Sequence, residues 1–149
     1  MASNAAKLTA LDPVETARSL VREADEEWLS EFTRSLHRQR ARDELGRVLD
    51  VWGLSRSAAA GLFGVSRQAV SKWLTRGVPE ERLEVVADLS AATDLLVRYL
   101  KPSRIPAVVR RSSPRLDGGT SLVDLVAASR AHDVLAACRE MFSFADAHR

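Results

Sequence analysis

SRSAAAGLFGVSRQAVSKWLTRG, from Ser55 to Gly77, has the spacing of two short helices joined by a tight turn. Ala60 is placed where the two helices cross closely and a small side chain is needed. Gly64 falls in the turn, where glycine reaches a left-handed backbone most cheaply. Val65 is the buried turn residue, and the Ser66 hydroxyl is placed to cap the second helix. Val70 and Trp73 point inward at i and i+3. Ala59, Ala60, Phe63, Val65, Val70 and Trp73 then make the interior that two crossed helices need, and the pattern predicts a helix-turn-helix.

The residues left over face outward, and they are basic and polar: Arg67, Gln68, Ser71, Lys72 and Arg76. From Gly53 to Pro79 there are four basic side chains (Arg56, Arg67, Lys72, Arg76) and no acidic one. Such groups suit phosphate contact and base-edge reading. The expected DNA-binding set is Arg56, Ser66, Arg67, Gln68, Ser71, Lys72 and Arg76. Arg67 and Gln68, with Ser71 beside them, are placed to read base edges. Lys72, Arg76 and Arg56 are placed to hold phosphates. The plainer reading is a helical hairpin with a solvated charged face. The agreement of the small, turn, cap and core positions with the charge segregation favours operator DNA. One such unit covers few base pairs, so a homodimer is expected, with two recognition helices about 34 Å apart on a palindromic duplex.

Around this stretch the chain reads as all-α. It has 149 residues, 46% of them hydrophobic but only 5% aromatic, and no segment of strand period. Asp12-Pro13-Val14-Glu15 is a helix start. Val14, Ala17, Val21, Ala24, Trp28, Phe32 and Leu36 then form one apolar stripe to about Arg40, with a break expected near Ser30. That stripe suits either the chain's own core or a dimer or partner seam. A separate helix is expected from Asp43 to Trp52, closed by Gly53. After the helix-turn-helix, Val78-Pro79 opens a helix running to Leu100. Pro102 to Thr120 is an irregular connector with a short helical turn at Ile105 to Arg110. Short helices from Leu122 to about Ala128 and from Ala131 to about Ala145 complete the chain. The expected organisation is a tail and long helix over 1–40, a DNA-binding unit over 41–79, and a small helical unit over 80–149.

Net charge is only +2, so its distribution matters more than its sum. Residues 41–79 carry 6 basic and 3 acidic side chains, residues 80–100 carry 2 and 5, and residues 101–149 carry 8 and 5. Cys138 is the single cysteine, which excludes an internal disulfide and fits a reducing cytoplasm. Neither an apolar run of ~18 residues, the length of a membrane span, nor a signal-peptide pattern occurs.

Two segments resemble a bacterial family. Residues 42–79 are similar to the helix-turn-helix of Xre-like antitoxins. Residues 80–145 resemble the toxin-binding domain of the Xre/MbcA/ParS antitoxins, on the residues RLEVVADLSAATDLLVRYL, RIP and PRLDGGTSLVDLV. Leu116, Gly118, Gly119, Ser121, Leu122 and Leu125 fall on the family's Gly-Gly turn and the short helix after it. Val108-Val109 stands where members often have Trp-Leu, and Leu122 where they often have Pro. The resemblance implies a homodimeric antitoxin of a type II toxin–antitoxin system. It would neutralise a cognate protein toxin, most often a RES-domain enzyme that destroys NAD, and repress its own operon. The implied toxin-facing residues are Arg110, Arg111, Arg115, Gly118, Gly119, Arg139 and Phe142, with Arg104 in the same basic loop. For the arginines, a solvated loop or extra phosphate contacts are the alternatives.

Other chemistry finds little footing. His37, His132 and His148 are scattered without metal-ligand spacing, so no metal site or cofactor is expected. Cys138 lies on an apolar helix face, and no nucleophile elbow or phosphate loop occurs, so an enzyme is not expected. The alternative function is a stand-alone repressor whose C-terminal helices serve dimerisation or effector sensing.

Overall fold

The computed structural model describes residue 7 and residues 10–146; the expected tail over residues 1–11 falls mostly outside these. Among the described residues the elements are all helical. They are α1 (Pro13–Glu23), α2 (Glu26–Trp52), α3 (Arg56–Phe63), α4 (Arg67–Arg76), α5 (Leu83–Tyr99), α6 (Ile105–Arg110), α7 (Leu122–Ala127) and α8 (Ala131–Asp146). Single 3-10 turns stand at Glu80–Arg82, Pro102–Arg104 and Asp117–Gly119.

The chain divides into two compact units, one up to Leu36 and one from His37 onward. In the first, Asp12 caps α1: its Oδ1 accepts the Glu15 N–H at 2.8 Å, and Pro13 opens the helix. The break expected near Ser30 falls earlier. Ala24 is extended, with φ −86° and ψ 145°, and Asp25 Oδ1 accepts the Trp28 N–H at 2.7 Å as the next cap. Asp25, directly before Glu26-Glu27-Trp28, is thus a helix start. The second difference is that α2 runs unbroken to Trp52. Residues 37–40, His-Arg-Gln-Arg, interrupt the apolar stripe but contain neither glycine nor proline, so nothing in them stops the backbone ladder.

The second unit has one core. α2 contributes Ala41, Leu45, Val48, Leu49 and Trp52, one stripe at helical spacing. α5 adds Val86, Leu89, Ala92 and Leu96, and packs along α8 through Val134, Leu135, Cys138 and Phe142. α7 touches α8 on one side and α3 on the other. The buried residues from Ala41 to Phe142 therefore form a single cluster that crosses position 79 without a seam.

Polar ties fix this core. Trp52 Nε1 donates to Thr93 Oγ1 at 2.9 Å, and that hydroxyl donates to the Leu89 carbonyl at 2.7 Å. Arg47 pairs with Asp94 across α2 and α5. Thr93→Val keeps the shape but strands the buried indole N–H. Such a group costs about 1–3 kcal/mol, and denaturant unfolding should show a lower midpoint with an unchanged slope.

Candidate nucleic-acid interface

The two elements that carry the exposed basic face are held by short-range chemistry. Ser55 Oγ accepts the Ala58 N–H at 3.1 Å and starts α3. Gly64 ends it at φ 64° and ψ 35°, in the left-handed region, and the Val65 N–H returns to the Ala60 carbonyl at 3.0 Å. Ser66 Oγ accepts the Ala69 N–H at 3.1 Å and starts α4. Between the helices, Ala59, Ala60, Phe63, Val70 and Trp73 are buried, whereas Val65, expected to be buried in the turn, is half-buried against them. Phe63 and Trp73 meet edge to face, with centroids 5.8 Å apart.

α4 stops at Gly77, whose φ of 119° and ψ of 153° are glycine's territory. A Cβ there would stand 3.3 Å from the Arg38 Cβ and 3.4 Å from the Arg38 carbonyl oxygen. The Val78 N–H donates to that same carbonyl at 3.2 Å, which pins the end of α4 to α2.

With Val70 and Trp73 turned inward, Arg67, Gln68, Lys72 and Arg76 are exposed on the other side of α4. Ser71 is half-buried and accepts a hydrogen bond from Arg56 Nη1 at 3.3 Å, so Arg56 leans from α3 onto the α4 face. The Ser66 hydroxyl is engaged as the cap but stays exposed. The expected DNA-facing residues thus lie on α3, α4 and the turn between them, in a stretch of sequence from Gly53 to Pro79 that carries no carboxylate. Arg38 joins them. With Lys72 and Arg76 it borders a shallow pocket of 280 Å³ floored by Trp73, Gly77, Val78 and Pro79. Nothing local to Arg38 signals this, because the residues it joins are far along the chain.

The C-terminal residues separate into different roles. Arg110 Nη1 donates to the Trp52 carbonyl at 3.0 Å, and its Nη2 donates to the Gly53 carbonyl at 2.7 Å. The guanidinium thereby caps the C-terminus of α2 while the side chain stays exposed. Phe142 is buried at 8% exposure and stacks on Tyr99 at 4.7 Å. Its neighbour Met141 faces outward at 41% exposure.

Arg111 and Arg115 border two adjoining clefts of 280 and 270 Å³ that share Ser113, Leu116 and Met141. Arg104 and Arg139 are exposed elsewhere on this unit. Gly118 and Gly119 shape the turn between these clefts' loop and α7. That turn is braced by Arg130, which reaches Asp117 at 2.6 Å and Asp133 at 2.6 Å; the two carboxylates, Asp117 foremost, raise the guanidinium's pKa above its ordinary value. Ser121 and Asp124 form a capping box at the start of α7, and the Ser121 hydroxyl is the main cause of an Asp124 pKa below the usual carboxylate value.

Burial pushes the Cys138 thiol up to about 12, so it stays a protonated core side chain at neutral pH. Among the described residues no cluster of three or more His, Cys, Asp or Glu has metal-holding geometry, and no helix is long and apolar enough to cross a membrane.

No family model matches this chain, and no curated protein matches it. Among solved structures, it is similar in fold to a chain of the crystal structure of the M. tuberculosis MbcT–MbcA toxin–antitoxin complex. The identity is 20% and the TM-score 0.54, over 67% of this chain and 91% of that one.

Proposed function

We propose that this chain is the antitoxin of a type II toxin–antitoxin pair, with one surface for operator DNA and another for a protein toxin. The observation that carries the DNA half is the α4 face. Arg67, Gln68, Lys72 and Arg76 are exposed together, while Val70 and Trp73 on the opposite side are buried. α3, the Gly64 turn and α4 act as a helix-turn-helix in this reading. Arg67 and Gln68 read base edges, and Arg56, Lys72, Arg76 and Arg38 contact phosphates. The protein represses its own operon from a palindromic site.

Support for the toxin half is a likeness of fold to a chain from a toxin–antitoxin complex, joined to a second exposed surface on the same core. That surface is the cleft pair where Arg111 and Arg115 flank Leu116 and the exposed Met141. An apolar floor edged by Arg111, Arg115 and Glu140 suits a protein surface of mixed, predominantly acidic charge. The C-terminal resemblance names a RES-domain, NAD-degrading toxin as the partner class.

The test is co-expression with the protein encoded beside this gene. Growth arrest by that protein alone, relieved by the wild-type chain, is the expected result. The Arg111→Glu/Arg115→Glu pair should relieve it much less while still folding, because both side chains are exposed. Full relief by the double variant would move the toxin surface elsewhere. A neighbour with no toxicity, beside intact operator binding, would favour a stand-alone repressor.

A further inference from the structure

Leu11, Val14, Val21, Trp28, Phe32 and Leu36 all have more than a third of their surface exposed, and all precede His37. On α2, Trp28, Phe32 and Leu36 recur at i, i+4 and i+8, with 47%, 38% and 52% of their surface in solvent. The Trp28 and Phe32 rings stack on each other, with centroids 5.0 Å apart and planes 10° from parallel. A row of two aromatics and a leucine is the composition of an interface centre rather than of a solvated helix face.

The charges on either side say what covers it. On the N-terminal side of Phe32, residues 25–31 carry Asp25, Glu26, Glu27 and Glu31 and no basic residue. On its C-terminal side, residues 33–40 carry Arg34, Arg38 and Arg40 and no acidic residue. A second copy of this helix laid alongside in the same direction would set acids on acids and arginines on arginines. Turned end for end about Phe32, it sets acids on arginines at both ends.

At about 100° per residue, Glu26 and Arg40 fall on one side of the stripe, about 120° and 80° around from Phe32, while Glu27 and Arg38 lie about 120–140° around on the other side, away from the row. Two ion pairs within the chain here, exposed Arg34 with Glu31 at 3.4 Å and Arg40 with the half-buried Glu44 at 3.8 Å, are readily exchanged for contacts to a neighbour. Self-complementarity about a two-fold axis is the mark of an isologous dimer.

We infer that the Trp28–Phe32–Leu36 row of α2 is the surface on which two copies of this chain pair, antiparallel, with Phe32 at the two-fold axis. The inference deepens the proposed function, since a palindromic operator calls for two copies, but the order of charges along α2 stands apart from any DNA. Contact of this length is at the low end of specific interfaces, under about 1,200 Å², so pairing depends on concentration.

The full chain is tested by sedimentation over a concentration series. The wild type should dimerise, and Phe32→Glu should weaken dimerisation about hundredfold, as expected for an anchor at an interface centre, with helical circular dichroism unchanged. The arrangement is tested by mixing Trp28→Cys and Leu36→Cys chains under mild oxidation. Cys138 is buried and takes no part. Links between positions 28 and 36 support the antiparallel pair. Dominant 28–28 and 36–36 links overturn it.

A dimer untouched by Phe32→Glu overturns the surface, and a wild type that stays monomeric overturns the pairing. If Phe32→Glu abolishes binding of a partner protein but not self-association, the row belongs to that partner and the inference falls. Operator binding measured alongside separates the two claims. DNA binding with pairing elsewhere sinks only this inference, and pairing through Phe32 without DNA binding sinks only the proposed DNA role.

Discussion

Trp52→Ala should remove about 3–5 kcal/mol of stability, the range for deleting a large aromatic from a packed core. Trp52 is almost fully buried at the end of α2, and its indole N–H is spent on Thr93 of α5. Its carbonyl is one of those capped by Arg110. Truncation therefore opens a cavity where three parts of the sequence meet. Domains of this size hold about 5–15 kcal/mol in total, so the variant should unfold early in urea or on heating. DNA affinity should fall with it, as a consequence of unfolding. Trp52→Phe is the companion measurement. It keeps most of the packing and gives up the hydrogen bond, so it should lie well above the alanine variant. Equal losses for both would show that the Thr93 bond, rather than the ring, holds the junction.

Arg67→Ala is the second large effect, and it acts on binding with the fold intact. Arg67 is exposed at the first position of α4, where its removal leaves the Ser66 cap and the Val70–Trp73 face untouched. On the proposed reading, in which Arg67 reads a base edge, its loss costs about 1–3 kcal/mol of operator affinity and relaxes preference at one base pair. Lys72→Ala is the contrast: it should weaken binding to operator and random duplex alike, and lower the slope of log affinity against log salt by about 1. Titrations of both variants on both duplexes, at several salt concentrations, check the pair of statements. If Arg67→Ala weakened operator and random duplex equally, Arg67 would be a phosphate ligand and the reading face would have to be turned toward Gln68 and Ser71.

The legible and illegible parts of this chain differ in range. From Ser55 to Gly77 the sequence and the structure agree almost residue by residue, because each determinant acts within four positions. Two serine caps, one left-handed glycine and an i, i+3 apolar pair need no knowledge of the rest of the chain. The same holds for the Asp12 cap and for the helix at Ile105–Arg110. The continuity of α2 was hidden because a gap in the apolar stripe at residues 37–40 looks the same whether the helix ends or merely leaves the core.

The C-terminal surface was harder for a related reason. Met141 and Phe142 are both apolar and adjacent, about 100° apart on α8, and Phe142, in line with Val134 and Cys138, is the one that meets Tyr99 of α5 and is buried. Arg110 looked like one more loop cation, since the carbonyls it caps belong to Trp52 and Gly53. The second fact could not be read from spacing, because the deciding partner is long-range.

The packing of α3 on α7 joins the face of α4 and the clefts beside α8 to one core. Whatever binds either face binds only the folded chain, and so stabilises the fold that presents the other. At a ligand concentration one hundred times its dissociation constant, that stabilisation is about 2.7 kcal/mol. An occupant of one face thus guards the other face against loss by unfolding or proteolysis, without any change in the protein's shape.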